Sequence, residues 1–357
     1  MNSPTYALKT TNSRLGLFMG LTVGLFLSTK ASAQVTGDWA KHFRLGAVAA
    51  LNLKADFTLQ GNFGVPSRSP GAVGVPGVDH IYDDGYVRVD ATGNAGGLTS
   101  FWGYQNASQY DAAGQRILFH SASSLQPADT STYQRKNEAE FGMELAYGGI
   151  LKLWRSTLIG WDVGFSYLPI GIKDSRDLSI SLGRDGFYHA TGAGFVIPAA
   201  PYNNGSSGVG TLIGGTAQAG PSDVVAGVLT GSREIDTTLY NFRLGPTFYW
   251  DLGHRFAVQA GLGGAVGFLN GSYRYNEIAL TSDGGRTPLS GRLSQSDIVY
   301  GGYAQATLLW RTGEKADLYL SGQYMTLGDT TYGNGGRAAR LDLRSGLYIS
   351  IGINWPF

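Results

Sequence analysis

Five histidines, at positions 42, 80, 120, 189 and 254, are spread over 357 residues. A histidine beside a serine, oriented by an acidic group, is the group set of a hydrolase. His120-Ser121-Ala122-Ser123 would supply the first two members. One adjacent pair in a loop is a thin signal, and no third member can be placed with it, so no catalytic residue is assigned. Asp79, Asp83, Asp84 and Asp90 could offer oxygen ligands to calcium. Setting Gly85 at the invariant glycine of an EF-hand, however, puts Tyr82 and Ala91 at ligand positions, which the motif does not tolerate. A solvated turn around Asp83-Asp84-Gly85 is the plainer reading. Gly261, Gly263, Ala265 and Gly267 lie in GLGGAVG, which lacks the G-x-G-x-x-G spacing and no helical pattern follows, so these glycines read as packing relief and no cofactor is expected.

The elements that must position any site are strands. Glycine supplies 54 residues, tyrosine 20, and charged side chains only 15%. This mix excludes disordered and coiled-coil chains. There is no cysteine, hence no disulfide framework and no thiolate metal site.

Lys9 and Arg14 precede an apolar run at 15–27, and Ala31-Ser32-Ala33 follows it as an A-x-A cleavage signal. The run is too short for a spanning helix, which needs about 20 apolar residues. Residues 1–33 therefore read as a secretory signal peptide, leaving 34–357 as one domain of 357 less 33, or 324, residues. Lys9, Arg14 and Lys30 leave with it, so 27 less three basic side chains face 26 acidic ones, a net charge of −2. Nucleic acid is not an expected partner.

Alternation of apolar and polar residues runs through 43–59, where the odd positions from Phe43 to Leu59 are apolar, and through 341–357 in the same parity. Further candidates lie at about 137–149, 157–168, 234–250, 255–276, 297–311 and 315–328. That makes eight strands, longer than the five or six residues typical of soluble ones. Connections are short at 149–156, 251–255 and 311–315, and longer at 61–136, 169–233, 277–296 and 329–340. Strict alternation of short and long connections is the layout of an antiparallel transmembrane β-barrel, with periplasmic turns and extracellular loops. Trp39, Trp154, Trp250, Trp310 and Trp355 fall at the short-turn ends, where an aromatic girdle belongs. Short runs at 86–90, 115–120 and 178–182 keep ten strands as an alternative, because loops this long without regular structure are uncommon.

Parity then places Glu144, Asp162 and Arg243 on the inward face of three successive strands. Charges inside a narrow barrel must pair with one another or with water. These three are expected to form a structural ion-pair core, with a gate or proton path as the functional alternative.

The last eight residues run Ser350-Ile351-Gly352-Ile353-Asn354-Trp355-Pro356-Phe357. They resemble the C-terminal β-signal of bacterial outer-membrane proteins at Ser350, Gly352, Trp355 and Phe357, and the strand layout resembles the small OmpA/OmpX-type barrels. Pro356 departs from a good ladder residue, tolerably so near a strand end. The resemblance implies residence in the outer membrane of a diderm bacterium, contact with its lipid, and recognition of the last strand by the barrel-assembly machinery. The expected function is a barrel with a plugged polar interior and a structural or surface-interaction role, any extracellular ligand being met by 61–136 and 169–233. The alternative is a porin or small-solute channel, with a lipid hydrolase behind it.

Overall fold

The computed structural model describes residues 41–64, 68–128, 131–136, 138–205, 210–312, 316–334 and 336–357. Residues 1–33, expected as a signal peptide, and Trp39 lie outside the described residues. Eight antiparallel strands pair in a ring: β1 (Lys41–Leu51), β2 (Glu140–Trp154), β3 (Thr157–Asp174), β4 (Asp223–Gly253), β5 (Phe256–Thr281), β6 (Arg286–Arg311), β7 (Asp317–Thr326) and β8 (Gly346–Pro356). Chain neighbours are sheet neighbours, and β1 meets β8 with Phe43 opposite Trp355 to close the ring.

Period-two alternation decides the two faces. On β8, Leu347, Ile349 and Ile351 are exposed while Tyr348, Ser350 and Asn354 are buried. On β4, Tyr240, Phe242 and Leu244 point outward and Leu239, Asn241 and Arg243 inward. The result is apolar outside and polar inside, the reverse of a soluble core.

Beyond the apolar band the wall divides in two. On one side β4, β5 and β6 run on, and Leu178–Ala190 pairs with β4 from Leu178 opposite Leu229 to Arg184 opposite Asp223. Arg116–Pro127 then pairs with Leu178–Ala190. On the other side a second sheet forms in the order Asp329–Asn334, Arg337–Asp342, Lys54–Leu59, Ser131–Lys136. Ala55, Phe57 and Leu341 of this sheet pack against Leu168, Ile170 and Ile235 on the inner face of the long strands.

Several expectations need correction. The stretch 43–59 is two strands, because Asn52 takes φ 63°, a left-handed conformation that redirects the chain. Leu45 faces out with 40% exposure, whereas Leu53 and Phe57, of the same parity, are buried. The stretch 341–357 likewise breaks between Asp342 and Gly346. Residues 277–296 are no long loop: β5 and β6 continue as a hairpin, and residues 329–340 hold another. The runs 115–120 and 178–182, kept as a further strand pair, do form one, Arg116–Pro127 with Leu178–Ala190, which joins the wall above the apolar band.

Candidate functional site

Two layers of buried charge cross the interior. In the lower one, β2, β3 and β4 bring Glu144, Asp162 and Arg243 together: Arg243 donates to Glu144 at 2.8 Å and lies 3.9 Å from Asp162. The sequence reading missed a fourth member, Arg44 of β1, which pairs with Asp162. It occupies an inward position on its strand, so parity alone could have found it. Gln323 accepts from Arg243 at 2.9 Å, Gln259 from Arg44 at 3.3 Å, and the Ser350 hydroxyl lies 3.5 Å from Glu144. Two guanidinium groups therefore balance two carboxylates, and Tyr303 and Tyr319 lie under Arg243 and Arg44. Gly164 has no side chain because a Cβ there would stand 2.6 Å from the Arg243 guanidinium. Of the glycine run, Gly261 leaves room for Gln305.

The upper layer was not foreseen. Glu277 bridges Arg233 and Arg337, and Arg233 also reaches Asp174 at 3.2 Å. All four side chains are at most 3% exposed. Because Arg337 belongs to the second sheet and the others to the wall, this layer fastens one to the other. Its members lie where the sequence reading had ended its strands.

Of the segments 61–136 and 169–233, expected as open loops, the ends belong to the wall and the second sheet, and the described residues between them form a folded head. Tyr82, Trp102, Phe119, Phe187 and Ile213 share one aromatic core, and Tyr202 pairs in register with Tyr104. Within it the His189 Nδ1–H donates to the Gly214 carbonyl at 2.8 Å and Nε2 accepts from the Tyr82 hydroxyl at 2.8 Å. His80 and His189 meet edge to face at 5.2 Å, one from each segment. Burial pulls His189 down to about 4 and pushes the Tyr82 hydroxyl up.

The four loop aspartates do not converge. Asp79 accepts from the Val89 N–H, Asp83 from that of Ala122, and Asp84 from His120. Asp90 accepts from Thr92 and Ser100, and the Thr92 hydroxyl above all holds its carboxyl below the usual carboxylate range. Among the described residues no three His, Asp or Glu are grouped to hold a metal. Asp84 does orient His120, at 2.7 Å from Nδ1, yet Ser121 is buried on the opposite face of the strand. Their adjacency in sequence thus separates them in space.

At the short-turn end, Trp154 and Trp310 are exposed by 57% and 46%, Trp250 donates to the Thr157 hydroxyl at 2.9 Å, and Trp355 stacks on Phe43 at 6.0 Å. Phe357 is 60% exposed, stacks on Tyr147 at 6.2 Å and exchanges backbone hydrogen bonds with Lys41. Ser350 faces inward, while Gly352 stands opposite Gly46 across the β1–β8 pairing that closes the ring. Deleting Phe357 should therefore lower outer-membrane levels several-fold and raise periplasmic degradation products. Wild-type yield with normal heat-modifiable migration would show that the terminal residue carries no assembly role.

No family model matches the chain, and no curated protein matches it. Among solved structures it is similar to the outer membrane protein OprG of Pseudomonas aeruginosa at 10% identity and TM-score 0.33, covering 89% of this chain and 97% of that one. It is similar to the outer membrane protease OmpT of Escherichia coli at 9% and 0.31, covering 89% and 96%. For the attachment invasion locus protein Ail of Yersinia pestis, in complex with a heparin analogue, the values are 9% and 0.26, with 87% and 99% covered. A ring closed on itself, apolar outside and charged inside, is an antiparallel β-barrel of the outer-membrane type. That class rests on the geometry of this chain.

Proposed function

We propose that eight strands span the outer membrane and that the chain works as a closed barrel displaying a folded extracellular head for surface interaction, without catalysis. One observation carries this reading: buried side chains cross the lumen at two levels. The four-charge layer occupies its lower part, and above it the second sheet packs an apolar core against the wall. An eight-stranded barrel is just wide enough for its own side chains, and a porin needs many more strands. The positions at which apolar residues face out support the count of eight. On β8 the band runs from Leu347 to Trp355, about 20 Å of height at the usual tilt, near the thickness a barrel must cover. The additional pair, Arg116–Pro127 and Leu178–Ala190, joins β4 only at its far end, well beyond that band. Against the hydrolase alternative stands the inward side chain of Ser121.

Planar-bilayer recording of the refolded protein tests the closed lumen. No discrete conductance steps are expected, and steady ohmic steps would return the lead to a channel. The same preparation should bind host or bacterial surface material only while the head residues 68–128 and 175–222, between the ring strands, are present.

A further inference from the structure

On the outer wall above the apolar band a row of charges crosses four strands: Lys173 of β3 stands opposite Glu234 of β4, Glu234 opposite Arg274 of β5, and Arg274 opposite Arg292 of β6. Glu234 lies between two cations, and Asp236 sits 3.1 Å from Arg274. Arg292 has no carboxylate partner among the described residues. Nor does another strand follow it, since β7 pairs with β6 only from Gly302 to Arg311. Directly opposed residues have Cβ atoms about 5 Å apart, and like charges at that spacing repel. The row is therefore balanced toward β3 and carries excess positive charge toward the open edge of β6.

The surface here is concave. The depression is broad and open to solvent, and it is lined by Ser232, Glu234, Arg274, Asn276, Ser290 and Arg292, with Tyr275 and Gly291 at its floor. The side chains of Ser232, Asn276 and Ser290 have no hydrogen-bond partner among the described residues. Arg274 stands six residues beyond the exposed Phe268, and Arg292 six beyond the exposed Ile298. At the usual rise and tilt that is about 15 Å above the apolar band.

We propose that this concavity binds a saccharide phosphate. Arg274 and Arg292 close on the phosphate, whose oxygens suit paired guanidinium donors. Ser232, Asn276, Ser290 and Glu234 face the sugar hydroxyls, which gives a use to polar side chains that reach beyond the two arginines. The same group can arrive free in solution or as the headgroup of a membrane glycolipid, whose sugars extend to this height. The anion site itself does not depend on the surface-interaction role: a conducting pore would overturn that reading and leave this one standing.

The test uses the full chain, refolded in detergent and in lipid nanodiscs. Three probes are compared by calorimetry: a bisphosphorylated glucosamine disaccharide, the same disaccharide without phosphate, and the phosphorylated form bearing acyl chains within the nanodisc. The phosphorylated forms should bind at least tenfold tighter than the neutral sugar, and R292A should weaken them at least tenfold. Lys173→Ala, at the balanced end of the row, should change little, and Asn276→Ala should weaken the phosphorylated disaccharide more than inorganic phosphate. Tighter binding of the acylated probe assigns the site to a lipid headgroup, and equal binding assigns it to a free sugar phosphate. The proposal is overturned if phosphorylation makes no difference, if R292E with normal heat-modifiable migration binds like the wild type, or if none of the probes binds.

Discussion

Replacing Arg243 by alanine is expected to destabilise the refolded barrel by about 3–5 kcal/mol, the usual cost of removing one partner from a buried ion pair. Arg243 and Glu144 are 2% and 4% exposed at the side chain, so water cannot take over the lost contact cheaply. Asp162 keeps Arg44 as a partner, whereas Glu144 is left with the Ser350 hydroxyl at 3.5 Å. The loss should therefore concentrate on Glu144. Adding Glu144→Gln to Arg243→Ala should recover part of it, because a neutral amide needs no counter-charge. Asp162→Asn should strand Arg44 instead and couple to Arg243→Ala less strongly than Glu144→Gln does, since Arg243 lies 3.9 Å from Asp162 against 2.8 Å from Glu144. Urea titrations of the series decide the matter: strict additivity between positions 144 and 243 would mean that the two side chains do not interact.

Acidification is expected to loosen the head while the barrel holds. His189 is fully buried and its ionisation is pulled from 6.5 to about 4, first by burial and then by the neighbouring His80, against the Gly214 carbonyl that raises it. The opened head thus takes up a proton below pH 6.5, and the folded head does not until about pH 4. Stability from this group is complete above pH 6.5 and declines as pH falls through that window, by up to about 3 kcal/mol. Protonation would also cost the bond from Tyr82, since Nε2 can no longer accept it. Limited proteolysis or amide exchange between pH 7.5 and 4 should report opening of residues 68–128 and 178–205. His189→Gln should flatten that dependence, and an unchanged pH slope in the variant would show that His189 does not sense the proton.

Alternation was sufficient to read much of this molecule, because a pleated strand sends successive side chains to opposite faces whatever surrounds it. It located all eight ring strands, their short turns and the inward positions of Glu144, Asp162 and Arg243. It held Arg44 as well, in a stretch whose apolar residues drew attention first. Only the tertiary structure decided which medium each face meets. Leu45 and Phe57 look alike in sequence, yet one faces outward from the ring and the other packs against its inner wall. Periodicity cannot tell lipid from protein, since both are apolar. The difference was made by single residues such as Asn52, whose left-handed turn sends the chain into the second sheet. Long-range meetings were equally beyond the sequence: Tyr82 and His189 are 107 residues apart, and Arg337 reaches Glu277 from another sheet. Such contacts depend on where two separately formed strands are carried by the ring, which no local pattern encodes.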